Sequence, residues 1–86
     1  MTSPHILLID DDAAILRSAS QTLELEDYRV CTLDRADKAL PLLNEDFAGI
    51  VITDINMPGT TGLELLARIK TIDSNIPVIL ITGFGD

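Results

Sequence analysis

Three unbroken aliphatic runs dictate what this chain can fold into: Ile6-Leu7-Leu8-Ile9, Ile50-Val51-Ile52 and Val78-Ile79-Leu80-Ile81. A strand with one wet face alternates apolar with polar residues, whereas these runs place large aliphatic side chains on both faces. They therefore belong inside a parallel sheet covered on both sides. Each run also leads to oxygen-bearing residues: Asp10-Asp11-Asp12 after the first, Asp54 after the second, in which Thr53 is a fourth β-favouring residue, and Thr82 after the third. Ligands of open α/β sheets bind at the carboxyl ends of the strands, where loops can surround a site without breaking the core. Asp54, with the turn Met57-Pro58-Gly59 shortly after it, occupies such an end.

Between the runs the periodicity is helical. Ile15, Leu16, Ala19 and Leu23 mark a first helix from Ala13 to about Glu26, with Asp12 as its N-cap. Tyr28 to Leu33, rich in β-branched and aromatic residues, reads as a short strand in which Cys31 is a small buried hydrophobe. Asp34 is expected to open a second helix, with Asp37 completing an imperfect capping box and Ala36, Ala39, Leu40 and Leu43 forming the buried stripe. Pro41 removes a bond to Asp37 and kinks or shortens that helix, at a cost of about 3 kcal/mol. After a loop punctuated by Pro58, Gly59 and Gly62, a third helix spans about Leu63 to Ile72, burying Leu63, Leu66 and Ile69 with Leu65 at the margin. The last run, behind Pro77, is expected to be buried on both faces. The order β-α-β-α-β-α-β describes an α/β, doubly wound parallel sheet with right-handed crossovers.

Eighty-six residues make one small domain spanning residues 1–86. The formal net charge of −8, with six basic residues scattered singly, argues against contact with nucleic acid or an anionic membrane surface. No apolar run approaches the roughly 20 residues that cross a bilayer. The lone Cys31 forms no internal disulfide and the chain opens on no signal-like segment, so the expected location is the cytoplasm.

Laid side by side in a parallel sheet, the first, third and fourth strands bring Asp10, Asp11, Asp54 and Thr82 to one crevice. Crowded carboxylates raise one another's pKa or recruit a cation, and an all-oxygen donor set suits hydrated Mg²⁺ better than zinc. His5 offers neither a zinc site nor a Ser-His couple and is a bystander. With no general base in reach, the chemistry that fits makes Asp54 itself the nucleophile, while Mg²⁺ neutralises a phosphoryl group in transfer. Asp12 is assigned to the helix cap and not to the metal. Thr82 alone would be an ordinary strand-end residue and Asn56 an ordinary turn residue; their coincidence with the three acids is what favours function.

These motifs resemble the receiver domain of two-component response regulators: the acidic pair after the first strand, Asp54 ending the third, Met57-Pro58-Gly59 with Gly62 opening the next helix, and Thr82-Gly83 after the fourth. The resemblance implies a flavodoxin-like sheet of order 2-1-3-4, in which the fifth strand with its Lys and the last two helices of a complete receiver are missing from these 86 residues. It implies that Asp54 is the phosphoacceptor, Asp11 a direct Mg²⁺ ligand, Asp10 a ligand through water, and the Asn56 carbonyl a further contact. Thr82 would bond the phosphoryl oxygens and shift on phosphorylation, and Gly83 would leave the phosphate room. The partner implied is a sensor histidine kinase as phosphodonor, with an output domain, controlling transcription, outside the chain. The ending Thr82-Gly83-Phe84-Gly85-Asp86 is similar to receivers of sigma-54 polymerase activators.

Two rival functions stay open on this fold, which alone decides nothing. A haloacid-dehalogenase-type phosphatase also uses an aspartyl nucleophile, Mg²⁺ and a strand-end Thr, but requires an acid where Asn56 stands, so enzymatic turnover is not expected. The other is a phosphorylation-independent interaction module. With the fourth strand left at the sheet edge, a homodimer through that strand or the sheet face beside it is expected.

Overall fold

The computed structural model describes residues 5–44 and 46–81. Four parallel strands, β1 (His5–Ile9), β2 (Arg29–Leu33), β3 (Gly49–Asp54) and β4 (Val78–Ile81), form the parallel sheet that the alternation predicts, in the order β2-β1-β3-β4 that the resemblance implies. Helix α1 (Ala13–Leu25) follows β1, and helix α2 (Gly62–Ile72) links β3 to β4. Asp12 caps α1, its carboxylate accepting from the N–H groups of Ala14 and Ile15. Asp27 closes the helix with φ of 69°, a left-handed position that Asp tolerates better than most residues.

The two faces of the sheet are covered unequally. On one, Leu7, Ile9 and Val51 pack with Ala36, Ala39, Leu43, Met57, Leu65, Ile69 and Ile76. On the other, Ile6 and Leu8 meet Leu16 of α1, with Ala19, Leu23, Val30 and Ile52 partly buried around them. Strand β1 is thus buried on both faces, as expected of its sequence. Strand β4 is not: Ile79 is 48% exposed, because α1 does not reach the edge of the described sheet.

Three further expectations are corrected. The segment after β2 is not a helix but two 3-10 turns, Ala36–Lys38 and Leu40–Leu42. Pro41 has no N–H to return to Asp37, so the chain closes i→i+3 bonds instead, Leu42 N–H to Ala39 O at 2.9 Å and Leu43 N–H to Leu40 O at 3.1 Å. Ala36, Ala39 and Leu43 are buried as expected, but Asp34 caps nothing; it pairs with Lys38 at 2.8 Å. The shortened cover leaves a cleft of about 420 Å³ beside the first residues of β1 and β2, lined by His5, Arg29, Cys31, Leu42 and Phe47 among others. Cys31 is accordingly exposed rather than buried. Leu63 is 56% exposed, and Leu65 takes the buried place on α2 because the helix starts at Gly62 and turns its 65 and 69 positions to the sheet. No helix among the described residues is long and apolar enough to cross a membrane.

Candidate functional site

The site grows out of the ends of β1 and β3. The N–H of Asp10 donates to Leu33 O at 3.1 Å, extending the β1–β2 pairing one residue past the strand and fixing where its side chain emerges. Asp10 Oδ1 in turn accepts the N–H of Asp12 at 2.9 Å, which bends the chain so that Asp12 can cap α1. Asp11, between them, is exposed. The three consecutive acids therefore divide the work: one buried at the strand end, one facing solvent, one holding a helix.

Asp54 is the last residue of β3 and is buried. Its Oδ1 accepts the N–H of Asn56 at 3.2 Å. Beyond it the chain is tied on two sides, with Ile55 N–H donating to Ile81 O of β4 and Gly62 N–H donating to Ile55 O, each at 2.9 Å. Gly59, at φ of 80°, makes the turn that a side chain would strain. Thr61 and Glu64 then form a full capping box at the start of α2, with Thr61 N–H to Glu64 Oε1 at 2.9 Å and Glu64 N–H to Thr61 Oγ1 at 3.2 Å.

One carboxylate oxygen each of Asp10, Asp11 and Asp54 lies within 4.8 Å of the others. Burial pushes the Asp10 carboxyl above its ordinary value; the Asp12 N–H pulls it back in part, and the charges of Asp54, Asp11 and Asp12 push it up again. Among the described residues the ion pair is Lys38 with Asp34, and no positive charge figures among the groups that shift the Asp10 carboxyl. An oxygen-only donor set with one exposed member fits a hard cation that keeps part of its water shell, as Mg²⁺ does.

Of the residues singled out in the sequence, Asp10, Asp11 and Asp54 are brought together, and Asn56 lies exposed at the rim with its N–H on Asp54. Thr82, Gly83 and the ending through Asp86 lie outside the described residues. His5 stacks edge-on against Phe47, ring centroids 5.2 Å apart, as a packing residue. Two residues that sequence reasoning did not place at the site touch its backbone. Thr53 is fully buried and its Oγ1 donates to Asp54 O at 3.1 Å. At Gly62 a Cβ would overlap the Asp54 carbonyl oxygen and come within 2.8 Å of Ile55 Cα. A hydroxyl inside an otherwise aliphatic strand was the available signal for the first; the second read as turn punctuation and as the residue opening the next helix.

Comparison with known proteins gives one answer. The family described as "Response regulator receiver domain" matches residues 6–86. The C4-dicarboxylate transport transcriptional regulatory protein DctD of Rhizobium meliloti is 48% identical over 84 residues, covering 98% of this chain and 18% of that protein. The transcriptional regulatory protein FixJ of Bradyrhizobium diazoefficiens is 40% identical over 85 residues, covering 99% of this chain and 42% of that protein. The chain thus spans less than half the length of either relative. Among solved structures, a response regulator receiver domain protein from Clostridium thermocellum superposes with a TM-score of 0.87 at 35% identity, over 98% of this chain and 68% of that one. The sheet order found here is that of this flavodoxin-like group.

Proposed function

Because this chain belongs to the receiver-domain family of two-component response regulators, we propose that Asp54 is its phosphoacceptor, taking a phosphoryl group from the phosphohistidine of a sensor histidine kinase. The observation that carries the proposal is the meeting of three carboxylates within 4.8 Å at the ends of neighbouring parallel strands, with Asp54 alone terminating the inner strand β3. In the transfer an Asp54 carboxylate oxygen forms the new bond to phosphorus as the phosphorus–nitrogen bond breaks, and the imidazole leaves with that electron pair. The Asn56 N–H engages Oδ1, so the side chain presents its other oxygen for attack. Asp11 and Asp54 would hold Mg²⁺ directly, Asp10 through water, with the Asn56 carbonyl as a further ligand; when bound, the ion would supply neutralisation of the phosphoryl charge in flight. Thr82 receives the phosphoryl oxygens and carries the switch.

The 86 residues act as one receiver unit in the cytoplasm, and the activity that such a unit serves is the control of transcription. DctD and FixJ, both transcriptional regulatory proteins by name, support that reading. Turnover of small phosphate esters is disfavoured because Asn56, two residues after the nucleophile, can neither give nor take a proton. The half-exposed Ile79 favours a second role for the chain as it stands, self-association through β4 or the face beside it. A sedimentation dilution series tests this, with Ile79→Lys expected to abolish any dimer.

Incubation with Mg²⁺ and acetyl phosphate separates the readings. A stable adduct on Asp54 supports the phosphoacceptor, continuous phosphate release the phosphatase, and no reaction the interaction module. In a longer chain that includes the fifth strand, Asp54→Asn should lose all label from a phosphorylated kinase domain while remaining folded. Full label in that variant would move the nucleophile to Asp10 or Asp11.

A further inference from the structure

Nothing in the ligand set explains why the backbone around Asp54 is tied so closely. The peptide between Asp54 and Ile55 is held at both ends: its N–H donates to Ile81 O at 2.9 Å, and its carbonyl accepts the buried Thr53 hydroxyl at 3.1 Å. Gly62 closes on the same carbonyl, where any Cβ would collide with it. The next peptide is held as well, since Ile55 O accepts the Gly62 N–H at 2.9 Å while the Asn56 N–H donates to Asp54 Oδ1 at 3.2 Å. A continuous path therefore runs from Thr53 and Gly62 through two peptide planes to the carboxylate itself.

Thr53 alternates with Val51 along β3, so its side chain lies on the well-covered face of the sheet. Asp54 points the other way. The hydroxyl is fully buried, and no buried side-chain polar atom among the described residues lacks a partner, so this hydrogen bond is what makes a polar group tolerable there. A Val would fill the same shape without needing one. Fixing a reacting group to within a fraction of an ångström requires support of this kind behind it.

We infer that Thr53 and Gly62 are positioning residues for Asp54, clamping the Asp54–Ile55 peptide so that the carboxylate and the adjoining Asn56 carbonyl keep one geometry. The functional consequence rests on the phosphoacceptor reading of the site; the clamp itself does not.

The test separates the two. Thr53→Val keeps the buried shape and loses the hydroxyl, whereas Thr53→Ser keeps the hydroxyl and loses a methyl group from the core. Amide hydrogen exchange of the metal-free 86-residue chain, read by NMR, should be about tenfold faster at Ile55 and Gly62 in Thr53→Val than in Thr53→Ser, although the Ser variant melts lower. Calorimetric titration with Mg²⁺ should show affinity about tenfold weaker in Thr53→Val, the low end for loss of an outer-shell partner, and restored in Thr53→Ser. Gly62→Ala should move both readouts the same way; should it fail to fold, the Thr53 pair still decides. If exchange and affinity instead follow the melting temperature, with Ser worse than Val, Thr53 is a packing residue and the inference is overturned. It is equally overturned if neither readout separates the two variants. If the parent takes up no Mg²⁺ while the Ile55 and Gly62 amides respond as expected, the clamp stands and the metal-site reading falls.

Discussion

The two faces of the sheet are built from equally aliphatic strands and yet do different things. The face carrying Leu7, Ile9, Val51 and Thr53 is sealed toward the carboxyl ends of the strands by α2 and the 3-10 turns, with a cleft left beside the first residues of β1 and β2. The face carrying Ile6, Leu8 and Ile52 is covered by α1 alone and stays open toward β4. By alternation, Asp10 continues the Ile6–Leu8 row and Asp54 continues the Ile50–Ile52 row, so both buried acids of the cluster belong to the thinner face. The cation and phosphoryl donor proposed for this cluster would need open space, which a sealed face could not give them. Structural order is concentrated on one side and chemistry on the other, with Thr53 reaching between them.

The contrast can be broken most directly by truncating each core. Ile69→Ala, on the sealed face, should cost about 2–5 kcal/mol. Leu16→Ala, whose neighbours on the thin face are partly exposed and free to relax, should fall at or below the bottom of that range. Urea unfolding measures both, and equal losses would show that the faces are energetically alike.

Metal binding sharpens the same contrast from the open side. Mg²⁺ at a hundredfold excess over its Kd should add about 2.7 kcal/mol to stability, since it binds only where the three acids are assembled. Asp11→Ala should remove that gain with little effect on the metal-free melt, because Asp11 is exposed and outside both cores.

A smaller effect comes from Asp10. Its carboxyl is raised by burial and by its neighbours' charges, so the folded state holds the proton more tightly than the unfolded state does. Metal-free stability should therefore fall as pH rises from the ordinary Asp value through the raised one, and stay low above it. Asp10→Asn should flatten that part of the profile, and Mg²⁺ should offset the loss. A profile that rises across this window in the parent would contradict the crowding of the site.

The smallest effect is expected at the surface pair. Lys38 holds the Asp34 carboxyl below its usual range, chiefly through their hydrogen bond, so any stability it contributes is present at neutral pH and lost as pH falls through the lowered value. Both side chains are more than half exposed, and Asp34→Ala should leave the melting temperature nearly unchanged. A clear drop would mean that the 3-10 turns depend on this pair more than on Ala36, Ala39 and Leu43.

How far the chain could be read without coordinates depended on how local the deciding force was. Strand identity, the parallel sheet, the Asp12 cap and the meeting of Asp10, Asp11 and Asp54 follow from patterns of a few residues plus the rule of parallel crossovers, whereas the strand order rested on the resemblance to receiver domains. The second helix failed because Pro41 acts against a stripe that is otherwise correct: Ala36, Ala39 and Leu43 are buried, but from tighter turns. Cys31 failed because β2 is an edge strand whose cover was shortened by those same turns. Leu63 failed because it stands about a quarter turn off the row of Gly62, Leu65 and Ile69 that α2 turns to the sheet. The Thr53 hydroxyl and the missing Gly62 side chain were illegible because each matters through contact with one backbone carbonyl, which no periodicity encodes.

The register of β1 on β3 also sets a timetable. His5 pairs with Gly49 and Ile9 with Thr53, so most of the first half of the chain must close into a loop before these two central strands can meet. That closure costs entropy before any pairing repays it, which makes parallel long-range contacts the slow part of folding. Asp10 and Asp54 are the next residues along those same strands, and their cluster cannot exist until the strands have docked. A slip of one residue in β3 would turn Asp54 toward the sealed face and Thr53 toward the acids. During synthesis, then, assembly of the acid cluster and completion of the slowest topological step arrive together, and a nascent chain that has not yet found its register has no such cluster to offer.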